Sequence, residues 1–424
     1  MKLFAGQKRL VCHEWQQVKV GKGSDMLSPQ QADRLCHLAS SRAAVLKVGS
    51  EAILARRHKH VKAGQVCGVL SVPGVTLEIL PKIDIDGEDG RATLIHMLDV
   101  AYDLRISADG LAGFGTQSID LLEVIILSFA RRLASTLRHG LPRRYRTERD
   151  DLAVLRGSLD VKRQFTKHAV RPDRLACRYD DLTHDTPLNR VVAAAVRLLA
   201  RRTGLAGTYT MLNDALDQME GVGVSSDPMR ERVMLDRTNT AWHGLYRMAR
   251  LLLGGASQSA RAGADEGFAL LFPMNDLFEN YTAKMFRRAY GRRVRTQARG
   301  KSVTTCGKFA LRPDIVVDLP EELLIVDTKW KRLDLKDDKA GVSQSDVYQM
   351  LAYGHAYGGV DKPSRLMLLY PSREGQGTGV LRDWDVEGSG FGMQIGFFSL
   401  SSKEVLNGRV AALAPVQSKT GRET

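Results

Sequence analysis

The period of the apolar positions changes twice along this 424-residue chain. Up to about residue 105 the apolar runs are short and β-branched. Val66-Cys67-Gly68-Val69-Leu70-Ser71-Val72 and Val75-Thr76-Leu77-Glu78-Ile79-Leu80 flank Pro73-Gly74, which predicts a hairpin turned at that dipeptide. Pro81 ends the second strand, Asp84 to Gly90 forms an acidic turn, and Ala92 to Leu104 has the spacing of an amphipathic helix.

From about 115 to 260 the period becomes helical. Within Ile119 to Leu137, the residues Leu121, Val124, Ile125, Phe129 and Leu133 keep to one helical face; Asn189 to Leu205 and Thr238 to Leu253 repeat the pattern. Arg131, Arg132, Arg138, Arg143, Arg144, Arg146 and Arg149 form a basic cluster at the end of the first of these helices, as a solvated face or a phosphate-contacting one. Gly254 to Gly267, rich in Gly, Ser and Ala, marks a linker or exposed loop. Helix, strands, helix and strand follow to about 405, and Ala414 to Thr424 is a polar end. The expectation is an α/β multidomain protein. Its parts are a mixed, mostly-β N-terminal domain (1–105), a helical middle region (106–265), a C-terminal α/β domain (266–405) and a flexible tail (406–424).

Composition narrows the partners. Sixty-two Lys and Arg against 48 Asp and Glu give a formal net charge of +14, which favours polyanions through counterion release. Cys12, Cys36, Cys67, Cys177 and Cys306 are odd in number, scattered and without a CxxC pair, so neither a disulfide framework nor a zinc cluster is indicated. There is no run of about 18 apolar residues and no signal-peptide core at the start, so the expectation is a cytoplasmic protein with no membrane span. His58 and His60 sit in a basic loop and suggest no metal site.

The chemistry concentrates in Phe309 to Trp330. Two β-branched runs flank Leu319-Pro320-Glu321-Glu322; with the turn centred between Pro320 and Glu321, cross-strand partners sum to 641 and Asp314 faces Asp327. Facing carboxylates, with Cβ atoms roughly 4.5–5.5 Å apart, destabilise a sheet unless a cation or proton lies between them. The two-residue period of a strand puts Lys329 on the face of Asp327. Two hard oxygen donors and an ammonium suit Mg²⁺, with Mn²⁺ as the alternative, and a phosphate. An ordinary surface hairpin fits poorly, because Ile315-Val316-Val317 and Ile325-Val326 are continuous apolar runs in which unpartnered charge is costly. Asp318 and Glu322 are hairpin-end surface charges. Arg287, Arg288, Arg292, Arg293, Arg295, Arg299 and Lys301 precede the hairpin and are positioned to line a DNA groove or a solvated face.

Pro313-Asp314 followed by Asp327-Thr328-Lys329 resembles the PD-(D/E)xK nuclease signature, and Gln349-Met350-Leu351-Ala352-Tyr353 resembles the QxxxY motif of its RecB-like branch. On a helix, Gln349 and Tyr353 share a face. The resemblance implies a restriction-endonuclease-like α/β domain at 266–405, a catalytic set of Asp314, Asp327 and Lys329 with Gln349 and Tyr353, and metal coordination by Asp314, Asp327 and the main-chain carbonyl of Thr328. It further implies a third acid from a preceding helix, for which Glu279 is the candidate; Asp276 and Glu279 also have the spacing of a capping box.

Leu77 to Ile83, Arg156-Gly157-Ser158-Leu159-Asp160 and Asp185-Thr186-Pro187-Leu188-Asn189-Arg190 extend the likeness. In order along one chain they resemble the McrC family, the nuclease subunit of McrBC-type modification-dependent restriction systems. That likeness implies double-stranded DNA as substrate and an McrB-like AAA+ GTPase hexamer as partner, stimulated by the N-terminal and middle regions. Double-strand cutting by a single-site nuclease would need two copies to meet, and the sequence leaves the oligomeric state open. The only near match to a P-loop, Gly300-Lys301-Ser302, has Arg295 where the first glycine belongs, so this chain is expected to bind no nucleotide. Asn189 and Arg190 are also accounted for by helix-start chemistry and a buried polar contact. Two other readings are a non-catalytic adaptor that binds DNA or regulates a GTPase, and a stand-alone RecB-like repair nuclease.

Overall fold

The computed structural model describes residues 7–82, 90–104, 120–171, 173–256, 267–358, 362–372, 377–389, 391–400 and 413. The acidic turn after Pro81, most of the Gly-rich linker and the polar C-terminal end lie outside them.

The Pro73-Gly74 hairpin forms as expected, with Val72 opposite Val75, and every residue of Val66–Val72 and Val75–Leu80 is buried. Full burial follows from its neighbours. Lys8–His13 pairs in parallel with Val75–Leu80, and Phe268–Pro273 pairs antiparallel with Val66–Val72. Gly68, at φ +132°, makes the second pairing possible: a Cβ there would stand 2.0 Å from the Leu270 carbonyl oxygen. Helix Pro29–Leu46 opens with a Ser28/Gln31 capping box and buries Leu35, Leu38 and Ala39 in the same core. Each such aliphatic side chain contributes roughly 1.5–3 kcal/mol by leaving water.

A second, six-stranded sheet runs in the order Val294–Thr296, Ile315–Asp318, Leu323–Thr328, Ser364–Pro371, Gly392–Phe398, Gly379–Asp385. Leu323–Thr328, Ser364–Pro371 and Gly392–Phe398 are mutually parallel, and the outer pairs are antiparallel. Parallel neighbours need a crossover, and helix Gln344–Tyr357 supplies the first one. Helix Met274–Tyr290 packs Phe278 against the buried Trp330, with ring centroids 5.6 Å apart.

The described residues of Gln7–Leu121 and Arg261–Thr424 form one compact unit, and those of Leu122–Ala260 form another. The first and third segments expected from the sequence therefore share a unit. The reason is Phe268–Pro273: this apolar strand completes the N-terminal sheet instead of opening a separate C-terminal one.

The middle unit is less helical than expected. Helices Leu121–Leu137, Pro187–Ala200, Ala206–Gln218 and His243–Ala256 are present, but Arg144–Leu152, Leu175–Thr183 and Ser158–Leu159 form a three-stranded sheet. Arg144, Arg146 and Arg149 thus lie on a strand rather than at a helix end. That strand is mostly polar and partly exposed on both faces, so no apolar period announces it. Gly157, at φ +71°, turns Arg156 onto Tyr179 (3.9 Å from the ring centroid) and Asp181 (2.8 Å), while Asp160 caps the helix Val161–Lys167. Thr186 caps Pro187–Ala200, and buried Asn189 donates to the carbonyls of Pro142 and His184. The helix-start and buried-contact explanation of that motif is what the structure displays.

Candidate active site

The Asp314–Lys329 hairpin turns at Pro320-Glu321, where Leu319 N donates to Glu322 O (3.0 Å). Its register pairs Ile315 with Val326 and Val316 with Ile325, the alignment expected from the sequence. Asp318 and Glu322 sit at the turn end, paired with Lys362 and Arg365. Asp314 precedes its strand, and its Oδ2 accepts from Thr328 N and Thr328 Oγ1, both at 2.7 Å. Asp327 is 2 % exposed, and Lys329 Nζ stands 2.8 Å from its Oδ2.

Lys329 is held from the neighbouring helix as well. Its Nζ donates to Gln349 Oε1 (2.9 Å) and lies 3.2 Å from Asp346 Oδ1. Gln349 Nε2 donates to Tyr353 OH (2.7 Å), and that hydroxyl donates to the Arg312 carbonyl (3.1 Å), next to Pro313-Asp314. The helical pair therefore ties the lysine back to the first strand of the hairpin.

Glu279 reaches the same cavity of about 520 Å³ as Asp314, Asp327 and Lys329. The helix begins at Met274 with Pro273 as N-cap and no side-chain cap, so the capping-box explanation of Asp276 and Glu279 is wrong. A proline at the N-cap shifts the helix start away from where those two acids would serve it. Glu279 instead accepts from Gln297 Nε2 (3.0 Å), while Gln297 N donates to the Asp314 carbonyl (2.9 Å). A smaller cavity of about 330 Å³ shares Glu279 and is lined by Lys284, Arg287 and Arg299. Of the basic residues ahead of the hairpin, those two arginines are the ones at the site.

Charge is badly balanced here. Burial, then the nearby Asp327 and Glu279, push the Asp314 carboxyl up to about 7 against two hydrogen bonds from Thr328. Asp327 is raised by burial, with Lys329 opposing. Glu279 is raised by burial and by Asp276 and Asp327, with the Gln297 hydrogen bond opposing. Burial pulls the Lys329 ammonium down, but Asp327 and Asp346 outweigh it and leave it raised. Repelling carboxylates in a polar cavity are a hard-oxygen donor set that a divalent cation would relieve, so the residues fit Mg²⁺ or Mn²⁺. Among the described residues no three His, Cys, Asp or Glu side chains form a ready metal cage. A cation here would need main-chain oxygen or water beside the aspartates.

Sequence reasoning missed Asp346, Gln297 and the N-terminal contribution. Asp346 holds Lys329 and Lys331 together (2.9 Å to the latter) and lies on the helical face of Gln349 and Tyr353, a three- and four-residue spacing that could have disclosed it. Gln297, at φ +44°, left no signal. Glu14 accepts from Trp330 Nε1 (2.9 Å), and Trp15, Gln65 and Lys82 line the cavity, although they precede Asp314 by more than 200 residues.

Fold and site together define a class: an α/β protein whose mixed sheet carries a buried and a half-buried aspartate and a lysine from one hairpin, braced by the helix that follows. The chain belongs to the family described as McrBC 5-methylcytosine restriction system component, whose model matches residues 61–371. In fold it is similar to a chain of the refined half-complex from a tetradecameric assembly of Thermococcus gammatolerans McrB AAA+ hexamers with bound McrC. That likeness has TM-score 0.70 and 21 % identity, over 95 % of this chain and 98 % of that one. A chain of the Thermococcus gammatolerans McrBC complex is similar at TM-score 0.53 and 23 % identity, over 67 % and 88 % of the two chains. None of the curated proteins matches it. No helix among the described residues is long and apolar enough to cross a membrane.

Proposed function

We propose that this chain is the DNA-cleaving subunit of a McrBC-type restriction system, hydrolysing phosphodiesters with a divalent metal at Asp314, Asp327 and Lys329. The observation that carries the reading is the half-buried Asp314 beside the buried Asp327, both raised by burial and Asp314 further by Asp327, next to a fixed ammonium, in a member of that family. Asp314, Asp327 and the Thr328 carbonyl would hold Mg²⁺ or Mn²⁺. The ion supplies Lewis acidity and charge neutralisation at the phosphate.

Lys329 keeps its proton, held by Asp327 and Asp346, and stabilises the negative charge that grows on the phosphate during displacement. Gln349 and Tyr353 fix the direction of that ammonium. Glu279, with its carboxyl raised, is placed to take a proton from an attacking water or to orient it. Arg287, Arg299 and Lys284 line the adjoining cavity and extend a positive surface for the DNA backbone.

The partner follows from the family and from the fold likeness to an McrB–McrC assembly: an McrB-like AAA+ GTPase hexamer, which supplies the energy that this chain has no P-loop to capture. One hairpin site cuts one strand, so two copies meet for double-strand cleavage. The test is cleavage of modified double-stranded DNA by the full chain with its GTPase partner, GTP and Mg²⁺. Asp327→Ala or Lys329→Ala should abolish cleavage and leave DNA binding and GTPase stimulation nearly intact. Full cleavage by either variant would refute the assignment. Intact GTPase stimulation by a wild-type chain that never cuts would establish the non-catalytic adaptor instead.

A further inference from the structure

Part of the cavity wall comes from the turn that joins strands Lys8–His13 and Gln17–Lys19, far from the hairpin in sequence. Its tip is Trp15. This residue has φ +66°, in the left-handed region that costs a side-chain-bearing residue about 1–2 kcal/mol. It is 47 % exposed, whereas Trp242 and Trp330 are buried. A large apolar ring held open to solvent in a strained conformation is unexplained by packing, and such strain gathers at binding sites.

The turn is fixed to the catalytic strand. Glu14 is buried; its carboxylate accepts from Trp330 Nε1 (2.9 Å) and Lys82 N (3.2 Å), and its own N donates to the Leu80 carbonyl (3.0 Å). Trp330 directly follows Lys329, and Gln65 Nε2 donates to the Trp330 carbonyl (3.0 Å). Trp15 therefore keeps a set position relative to Lys329. Two cations attend the indole: Lys62 Nζ and Lys82 Nζ lie 5.6 and 5.7 Å from the ring centroid.

We propose that Trp15, with Lys62 and Lys82, is a nucleotide platform of the active site, which packs on a sugar and base beside the cleaved phosphate while the two ammonium groups pair with flanking phosphates. An aromatic ring attended by two cations, at the wall of a cavity whose carboxylates would hold a divalent cation, is the combination that binds a nucleic-acid strand whatever its sequence. The inference rests on the nuclease reading, because it takes DNA as the occupant of the cavity.

The experiment measures binding without turnover: a short fluorescein-labelled DNA duplex titrated with the full chain in EDTA, at several salt concentrations. Trp15→Ala should weaken binding about tenfold, and Trp15→Phe should recover most of it. Lys62→Gln with Lys82→Gln should flatten the dependence of log Kd on log salt by about two phosphate contacts. Wild-type affinity in Trp15→Ala, or an unchanged salt slope in the lysine double variant, would overturn the platform. So would failure of Trp15→Phe to recover binding when its thermal melting matches wild type. If the platform variants lose binding but wild type with Mg²⁺, partner and GTP never cuts, the nuclease reading falls and the platform stands.

Discussion

Two acidic sites of the same unit handle carboxylate charge in opposite ways. Glu78, fully buried on Val75–Leu80, receives both arms of Arg91: Nε to Oε1 at 2.6 Å and Nη2 to Oε2 at 2.8 Å. A bidentate fork satisfies both carboxylate oxygens, and the pair is a closed structural element. Lys329 and Lys331 both act on Asp327, but Lys329 is shared with Asp346 and Gln349, and Lys331 is held by Asp346. Burial raises both carboxyls of the hairpin, and Asp327 and Glu279 raise Asp314 further. A fold that can supply a fork for Glu78 has the means to do the same at the hairpin. On the proposed function, that repulsion favours a cation and the phosphate it brings.

That contrast breaks if removing a charge has the same consequence at both places. The largest effect belongs to catalysis: Asp327→Ala or Lys329→Ala should cut DNA cleavage by roughly 10²–10³-fold or more in a supercoiled-plasmid assay run where each variant is folded. Arg91→Ala should do the reverse, costing about 3–5 kcal/mol of stability in denaturant unfolding by stranding Glu78. Asp314→Asn should stabilise the metal-free chain, because it removes a carboxylate from a repelling pair.

Glu279→Gln should lower the single-turnover cleavage rate by roughly 10²-fold and leave the helix, whose cap it does not form, as stable as before. Tyr353→Phe should cost roughly tenfold by freeing Gln349 and with it Lys329. The smallest effect is one of pH. The folded Asp314 carboxyl lies near 7, above its unfolded value, so its stabilising contribution is complete at pH below about 4 and lost as pH rises through 7. In EDTA the melting temperature should therefore fall as pH rises from 5 to 8, and Asp314→Asn should flatten that slope.

The hairpin was legible because every constraint on it is local. A proline-bearing turn, two apolar runs and a two-residue period set the register that puts Asp314 beside the Asp327 strand and Lys329 on the face of Asp327. The Gln349 and Tyr353 pair was legible for the same reason, through helical spacing. What stayed hidden depends on pairing across long separations. Phe268–Pro273 looks like any apolar strand, and only its pairing with Val66–Val72 merges the two ends of the chain into one unit. Glu14, Trp15 and Lys82 carry no local sign of the hairpin they approach. The strand Arg144–Leu152 failed for the opposite reason: mostly polar and partly exposed on both faces, it lacks the alternation by which strands are recognised.

On the proposed function, Asp314 and Asp327 bind a divalent cation in exchange for protons. Calorimetric titration of Mn²⁺ into the full chain near neutral pH, in two buffers of different ionisation enthalpy, measures both binding and proton release. The expected result is one site that releases protons, lost in Asp314→Asn and in Asp327→Asn and retained in Arg91→Ala at a temperature where that variant is folded. Binding that survives both asparagine variants, or no binding by the wild-type chain, would contradict it.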